Sequence, residues 1–320
     1  MSLLGHDNAW REWDEALGGE RMHHAWLLAG KKGLGKMTFA LAAARKLVSE
    51  PGIPQPEGQH PDIIVLTNLP KDEKEERKRD EGKPYETKRN ISVEQIRQMQ
   101  ARLTTRPTLG SRRAVIIDPA DDLEKGSANA LLKSLEEPPA GTFFVLVAHR
   151  PARLLPTIRS RCRLLRFPAL ADEEIDRLLI DSAPEADAET RAAAIAAAAG
   201  SPGAALDFVS QDLGKLDQLM RRIARHGDRD FSLRGQLAAE IGTRPDRERV
   251  AAVLDLAGAT IAGMVADAPT AALTGLADAH AELVRLGRQV PTYNFDPGLL
   301  VMHIGGLLAA AAEASERADA

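Results

Sequence analysis

Apolar and polar positions follow two regimes along the chain. Up to about residue 167, short unbroken apolar runs (Ala25 to Ala29, Asp62 to Leu66, Ala114 to Asp118, Thr142 to Ala148) alternate with stretches in which apolar residues return every three or four positions. The unbroken runs predict strands covered on both faces, as in a parallel sheet. The periodic stretches, Asn8 to Leu17, Thr38 to Val48, Ser92 to Leu103 and Ser127 to Glu137, predict helices with one buried face. Ser92 with Gln95 gives the third of these a capping-box start, and Pro138-Pro139 stops the fourth. Strand and helix in alternation predict an α/β domain with a parallel sheet over residues 1–167.

Beyond Phe167 the composition turns to helix formers. Asp172 to Asp181, Glu189 to Ala199 and a helix after Ser201 predict a small helical lid over 168–212. Apolar spacing in Val250 to Ala262, Ala271 to Leu286 and Leu299 to Ala312 predicts a separate all-helical domain over 213–320. The alanine-rich Glu189 to Ala199 has to pack closely against neighbours to be stable. Two stretches fit neither regime. Pro51 to Pro61 is a proline- and glycine-rich connection, and Lys71 to Arg89 carries 15 charged residues in 19, which reads as a solvated flap.

At 320 residues, 44% apolar and 28% charged, the chain has the profile of an ordinary globular protein of two or three domains. Its net charge of −4 argues against a surface wholly given to binding nucleic acid and leaves local basic patches open. No apolar run approaches a membrane span, and Met1 to Trp13 has charges where a signal peptide needs its apolar stretch, so a cytoplasmic location is expected. One cysteine, Cys162, allows neither an internal disulfide nor a cysteine-based zinc site. His23-His24 falls at the loop edge before the first strand, where adjacent imidazoles make a poor metal pair.

The chemistry concentrates in two places. Gly30-Lys31-Lys32-Gly33-Leu34-Gly35-Lys36-Met37 lies between a strand and a helix, the setting of a phosphate-binding loop. Gly30, Gly33 and Gly35 let backbone amides turn toward a polyphosphate, and Lys36 can reach its terminal oxygens. The next position should offer a hydroxyl to magnesium; Met37 cannot, and Thr38 could do so only by a one-residue shift. Asp118 ends a strand where a P-loop ATPase keeps its Walker B acid, but Pro119 follows in place of the glutamate that activates water. The second concentration is Arg150 to Arg166, six arginines in seventeen residues. Arginine suits phosphate and interface contacts through its planar fork.

The run Asn129-Ala130-Leu131-Leu132-Lys133-Ser134-Leu135-Glu136-Glu137-Pro138-Pro139, with Pro156-Thr157-Ile158-Arg159-Ser160-Arg161-Cys162, resembles the AAA+ subunits of bacterial clamp loaders over about residues 3–210. The degenerate phosphate loop is similar to that of the family's delta-prime members, within DNA polymerase III. The resemblance implies an AAA+ domain, a lid and a helical collar through which five subunits form a ring. It also implies a member without ATPase activity of its own, a non-catalytic part of a DNA-directed DNA polymerase holoenzyme that helps load the sliding clamp on primer-template DNA. Gamma/tau subunits would be the ATPases and delta the clamp opener. Arg161, between Ser160 and Cys162, would act in trans on the ATP of a neighbouring gamma/tau subunit, with Cys162 a packed residue. Sequence-independent DNA contacts are expected from Arg102, Arg106 and the N-terminus of the helix near Ser127.

Two departures bear on these expectations. Many relatives carry a four-cysteine zinc module where this chain has Glu50 to Arg89, so no zinc is expected. In Gly200 to Leu206, Ala204 stands where active relatives often have a sensor arginine. The competing reading is a working gamma/tau-like ATPase that substitutes Thr38 and Asp121, and Met37 with Pro119 discriminates the two. The retained glycines and Lys36 leave nucleotide binding open.

Overall fold

The computed structural model describes residues 5–19, 22–290 and 296–319, so the first four positions of the Met1 to Trp13 stretch lie outside the described residues. The chain divides into two compact units, Met1–Ala169 and Leu170–Ala320. In the first, the elements run α1 (Asp7–Gly18), β1 (Ala25–Ala29), α2 (Lys36–Val48), β2 (Ile63–Leu66), α3 (Glu73–Asp80), α4 (Val93–Leu103), β3 (Arg113–Ile117), α5 (Lys125–Glu136), β4 (Thr142–Ala148), α6 (Pro156–Arg159) and β5 (Arg163–Arg166). The five strands form one sheet in the order β2-β3-β4-β1-β5. Every neighbouring pair is parallel. The expected α/β parallel-sheet class is therefore the observed one.

The unbroken apolar strands are explained by their two covered faces. Leu27, Val115, Ile117, Phe144 and Leu146 pack with Ile96 and Met99 of α4 and Leu131 and Leu135 of α5. Their strand neighbours Trp26, Leu28, Ile116, Val145 and Val147 pack on the other face with Trp13 of α1 and Phe39, Ala43 and Leu47 of α2. The alternation of period two is present but hidden, because both faces are apolar. Trp13 lies 5.1 Å from Trp26, ring centre to centre, so the early tryptophans serve packing. The capping box of α4 forms as the sequence predicts: Ser92 Oγ accepts from Gln95 N, and Gln95 Oε1 accepts from Ser92 N.

The structure differs from expectation in the charged stretch. Lys71 to Arg89 is solvated, yet it folds: Asp72 caps α3, Lys71 N donates to Glu86 O, and Lys88 N donates to Leu69 O. The organiser is the buried Glu75, whose carboxylate accepts from Glu86 N at 2.7 Å and from Lys78 Nζ at 2.8 Å. One satisfied carboxylate takes the place of an apolar core.

The second unit is all helical: α7 (Asp172–Ser182), α8 (Ala188–Ala198), α9 (Pro202–Ser210), α10 (Gly214–His226), α11 (Ser232–Ile241), α12 (Arg247–Met264), α13 (Leu273–Gln289) and α14 (Pro297–Asp319). A single apolar core runs through it from Leu170 to Ala311, across positions 212 and 213. Ala194 and Ala198 of α8 are buried in that core with Ala205 and Phe208 of α9, which is the close packing an alanine-rich helix needs. Among the described residues no helix is long and apolar enough to cross a membrane.

Candidate functional site

Register brings the carboxyl ends of β1, β3 and β4 to one edge: Ala29 pairs with Ala148, and Ile117 with Leu146. Ligands of open parallel sheets bind outside such ends. The loop from Gly30 to Lys36 leaves β1 there. Gly33 and Gly35 take left-handed backbone, φ 82° and 71°, which a side chain disfavours, and Gly35 caps α2. Gly30 has a different reason for being glycine. A Cβ there would sit 2.4 Å from Phe167 O, so this glycine is required by the chain leaving β5.

Lys36 is buried, and its Nζ donates to Gly30 O at 2.7 Å and to Lys31 O, so the loop satisfies its own ammonium group. Desolvation draws the Lys36 pKa down to about 8, against the pull of Asp118 and Asp121. Asp118 follows β3, and burial pushes its carboxyl up to about 6 despite Lys36. His149, the residue after β4, has its Nε2 3.9 Å from Asp118 Oδ1. Burial, reinforced by Lys36, draws the His149 pKa down to about 4. Asp121 is buried, accepts from His149 N at 2.9 Å and lies 3.6 Å from Arg150 Nε. The structure places Gly30, Gly33, Gly35, Lys36 and Asp118 at one edge of the sheet, and adds His149, which sequence reasoning missed. Its signal was position alone, directly after an apolar strand on the carboxyl side of the sheet.

The donor set is incomplete for a magnesium nucleotide. Met37 packs against the apolar cluster that holds Leu34 and Phe39, and Thr38 is exposed. Pro119 offers no acid, Asp121 is engaged by the His149 amide, and Asp118 holds a proton more readily than an ordinary carboxylate. Magnesium at a nucleotide is held by one or two carboxylates or hydroxyls beside the phosphates; here Asp118 and Asp121 each keep a buried oxygen with no hydrogen-bond partner, while the hydroxyl after Lys36 and the acid after Asp118 are missing. Among the described residues no three His, Cys, Asp or Glu side chains converge as a metal site.

The arginine-rich segment is built separately. Pro156 opens α6, and the buried Ile158 anchors it in the core cluster shared with α5. Ser160 and Arg161 occupy the turn that follows. Ser160 Oγ donates to Thr157 O at 3.1 Å. Arg161 Nη1 donates to Thr157 O at 2.9 Å, and Nη2 pairs with Glu136 Oε1 at 2.6 Å. These partners lie on α5 and α6, not on the phosphate loop. Cys162 packs against the core, and burial pushes its thiol up to about 12, which makes it a packing residue.

The expected DNA donors fare unequally. Arg102 is exposed and donates to Pro61 O at 3.3 Å, and Arg106 is exposed while its carbonyl accepts from Arg113. Ser127 is buried and donates to Ile91 O, because α5 starts two residues earlier at Lys125 with Glu124 as its cap. Glu124, the residue before the first turn, makes no side-chain cap hydrogen bond, and the expected contact at this helix N-terminus moves two residues, to Lys125. Ala204 sits in the first turn of α9, its amide held by Ser201 Oγ.

Similarity to known proteins bears on this arrangement. A family model described as DNA polymerase III, delta subunit, matches residues 5–171. The delta-prime subunit of DNA polymerase III from Pseudomonas aeruginosa is 34% identical over 207 residues, 59% of this chain and 58% of the relative. Its counterpart from Escherichia coli is 32% identical over 208 residues, 60% of this chain and 56% of the relative. The chain thus matches somewhat over half the length of these relatives. The DNA polymerase III gamma subunit of Buchnera aphidicola is 32% identical over 161 residues, 50% of this chain and 42% of the relative. Among solved structures, a gamma subunit-related protein from Thermotoga maritima superposes with a TM-score of 0.44 at 17% identity, covering 95% of this chain and 99% of that one.

Proposed function

The chain belongs to the DNA polymerase III delta-subunit family, and we propose that it works as a delta-prime clamp-loader subunit that hydrolyses no ATP and lends Arg161 to a neighbouring gamma/tau ATPase. The observation that carries this reading is an asymmetry. The chain's own phosphate site has Met37 packed into the core, Pro119 in place of an acid and Lys36 bonded to its own loop. The Ser160-Arg161-Cys162 turn is meanwhile fully formed and exposes part of its guanidinium. An arginine supplied across an interface stabilises charge on a phosphoryl group in transfer, and it needs no competent site in its own chain.

In this reading the partners are gamma/tau and delta, with the sliding clamp and primer-template DNA engaged through the complex in the cytoplasm. The second unit would carry the lid (168–212) and the collar (213–320), and Ala204 would make no nucleotide contact. No zinc enters it, since Cys162 is the single cysteine. Similarity to gamma subunits favours the rival reading of a working ATPase, which would have to recruit Thr38 and Asp121. Thr38 lies one residue past the position the motif needs and points to solvent on α2, and Asp121 has given one of its oxygens to the His149 amide, which weighs against it.

The test is steady-state ATP hydrolysis by the isolated chain with and without primed DNA. No turnover above a Lys36→Ala control is expected. Turnover that this substitution abolishes would replace the proposal with the ATPase reading.

A further inference from the structure

Arg161 sits just past a four-residue helix, and a long side chain on a short turn has many rotamers to lose before it can serve a neighbour's site. The structure restrains it from two sides. Thr157 O accepts one N–H of Nη1 at 2.9 Å from within the turn, and Glu136 Oε1, on the last residue of α5, forms an ion pair with Nη2 at 2.6 Å. Only the bond to Thr157 O uses a guanidinium N–H, so four of the five donors remain for another partner. We infer that Glu136 is a positioning residue that fixes the plane of the Arg161 guanidinium for its partner subunit's nucleotide; the inference rests on the donor role proposed for Arg161.

A second observation comes from the helix itself. Glu136 and Glu137 end α5, where the helix dipole is negative and acidic residues are disfavoured. Helix stability therefore gives no account of Glu136, and a residue that breaks a local rule marks a position with another task. Its side chain is about half exposed, so it is no part of the core. The bond to Arg161 is the contact that explains its place. The carboxylate acts here through its charge, as an ion pair with Nη2 at 2.6 Å, and an exposed pair of this kind has a modest effect.

The experiment uses the reconstituted clamp loader, with kcat and KM for ATP measured under DNA stimulation after gel filtration confirms assembly. Glu136→Ala should lower kcat about three- to tenfold with KM unchanged, the rate equivalent of ordering one long side chain. Glu136→Gln should lower kcat about as far as alanine, because the amide keeps the shape of the side chain but not the charge that holds the guanidinium. Glu136→Lys should lower kcat at least as far as alanine while leaving the fold as stable or more so, since a cation suits the end of α5. In an Arg161→Ala background Glu136→Ala should cost nothing further, as expected of two residues acting as one unit. If Arg161→Ala slows the complex but Glu136→Ala and Glu136→Lys run at the parental rate or faster, the positioning role is wrong and the donor role stands. If Arg161→Ala itself runs at the parental rate, the donor role falls and the inference falls with it.

Discussion

Asp62→Ala should destabilise the first unit by the cost of stranding a buried arginine. Asp62 is fully buried, and its two carboxylate oxygens accept from Thr108 N at 2.6 Å and Leu109 N at 2.8 Å. The nearly buried Arg113 lies 3.9 Å from it and donates to the carbonyls of Arg102, Thr105 and Arg106. The pair therefore holds both polarities of the loop that connects α4 to β3. Removing one partner of a buried pair costs about 3–5 kcal/mol, because the other charge stays in a low dielectric. All three tryptophans, Trp10, Trp13 and Trp26, lie in the first unit, so indole fluorescence reports its unfolding alone. With a urea dependence of about 2–3 kcal/mol per molar, the midpoint should fall by about 1–2.5 M. A shift under about 0.3 M would refute the reasoning, since the pair would then contribute no more than an exposed salt bridge.

Asp118→Asn should stabilise the first unit at pH 7.5 and about a third as much at pH 4.5, read by the same fluorescence midpoint. Burial raises the folded carboxyl to about 6 while the unfolded one ionises near 3.8, so the folded state holds the extra proton between those values and stability falls as pH rises through them. Arg102→Ala and Arg106→Ala should each weaken DNA binding by the assembled loader equally across sequences and reduce its salt slope by about 1, as loss of one phosphate contact does. Binding unchanged in both would remove these residues from the DNA surface.

Legibility tracked the physical source of each element. The strands Ala25–Ala29 and Thr142–Ala148 were readable to the residue, because burial on both faces leaves an unbroken apolar run. The α3 clasp was not readable, because its organiser is one buried carboxylate, Glu75, within a sequence whose composition says only that it is solvated. Edge strand β5, Arg163–Arg166, was hidden for a related reason: only Leu165 is buried, and one apolar position has no period. In the candidate site, Lys36 and Asp118 could be found because a loop motif and a strand end fix them locally. His149 also follows a strand end, but its role there comes from Asp118 and Asp121 of another segment, and Glu136 meets Arg161 only through packing between α5 and α6. Gly30 was identified for one reason and is held by another, since Phe167 O excludes a side chain there.

The central claim is that Arg161 acts on a nucleotide that its own chain does not hold. Its most direct test is single-turnover ATP hydrolysis by the DNA-bound loader carrying Arg161→Ala or Arg161→Lys, in complexes shown to assemble. The turnover of the adjacent gamma/tau site should fall by about 10³ or more with alanine, and lysine should restore little of it for want of the planar fork. Hydrolysis and clamp loading at the parental rate in both assembled variants would contradict the account and leave Arg161 a surface residue paired with Glu136.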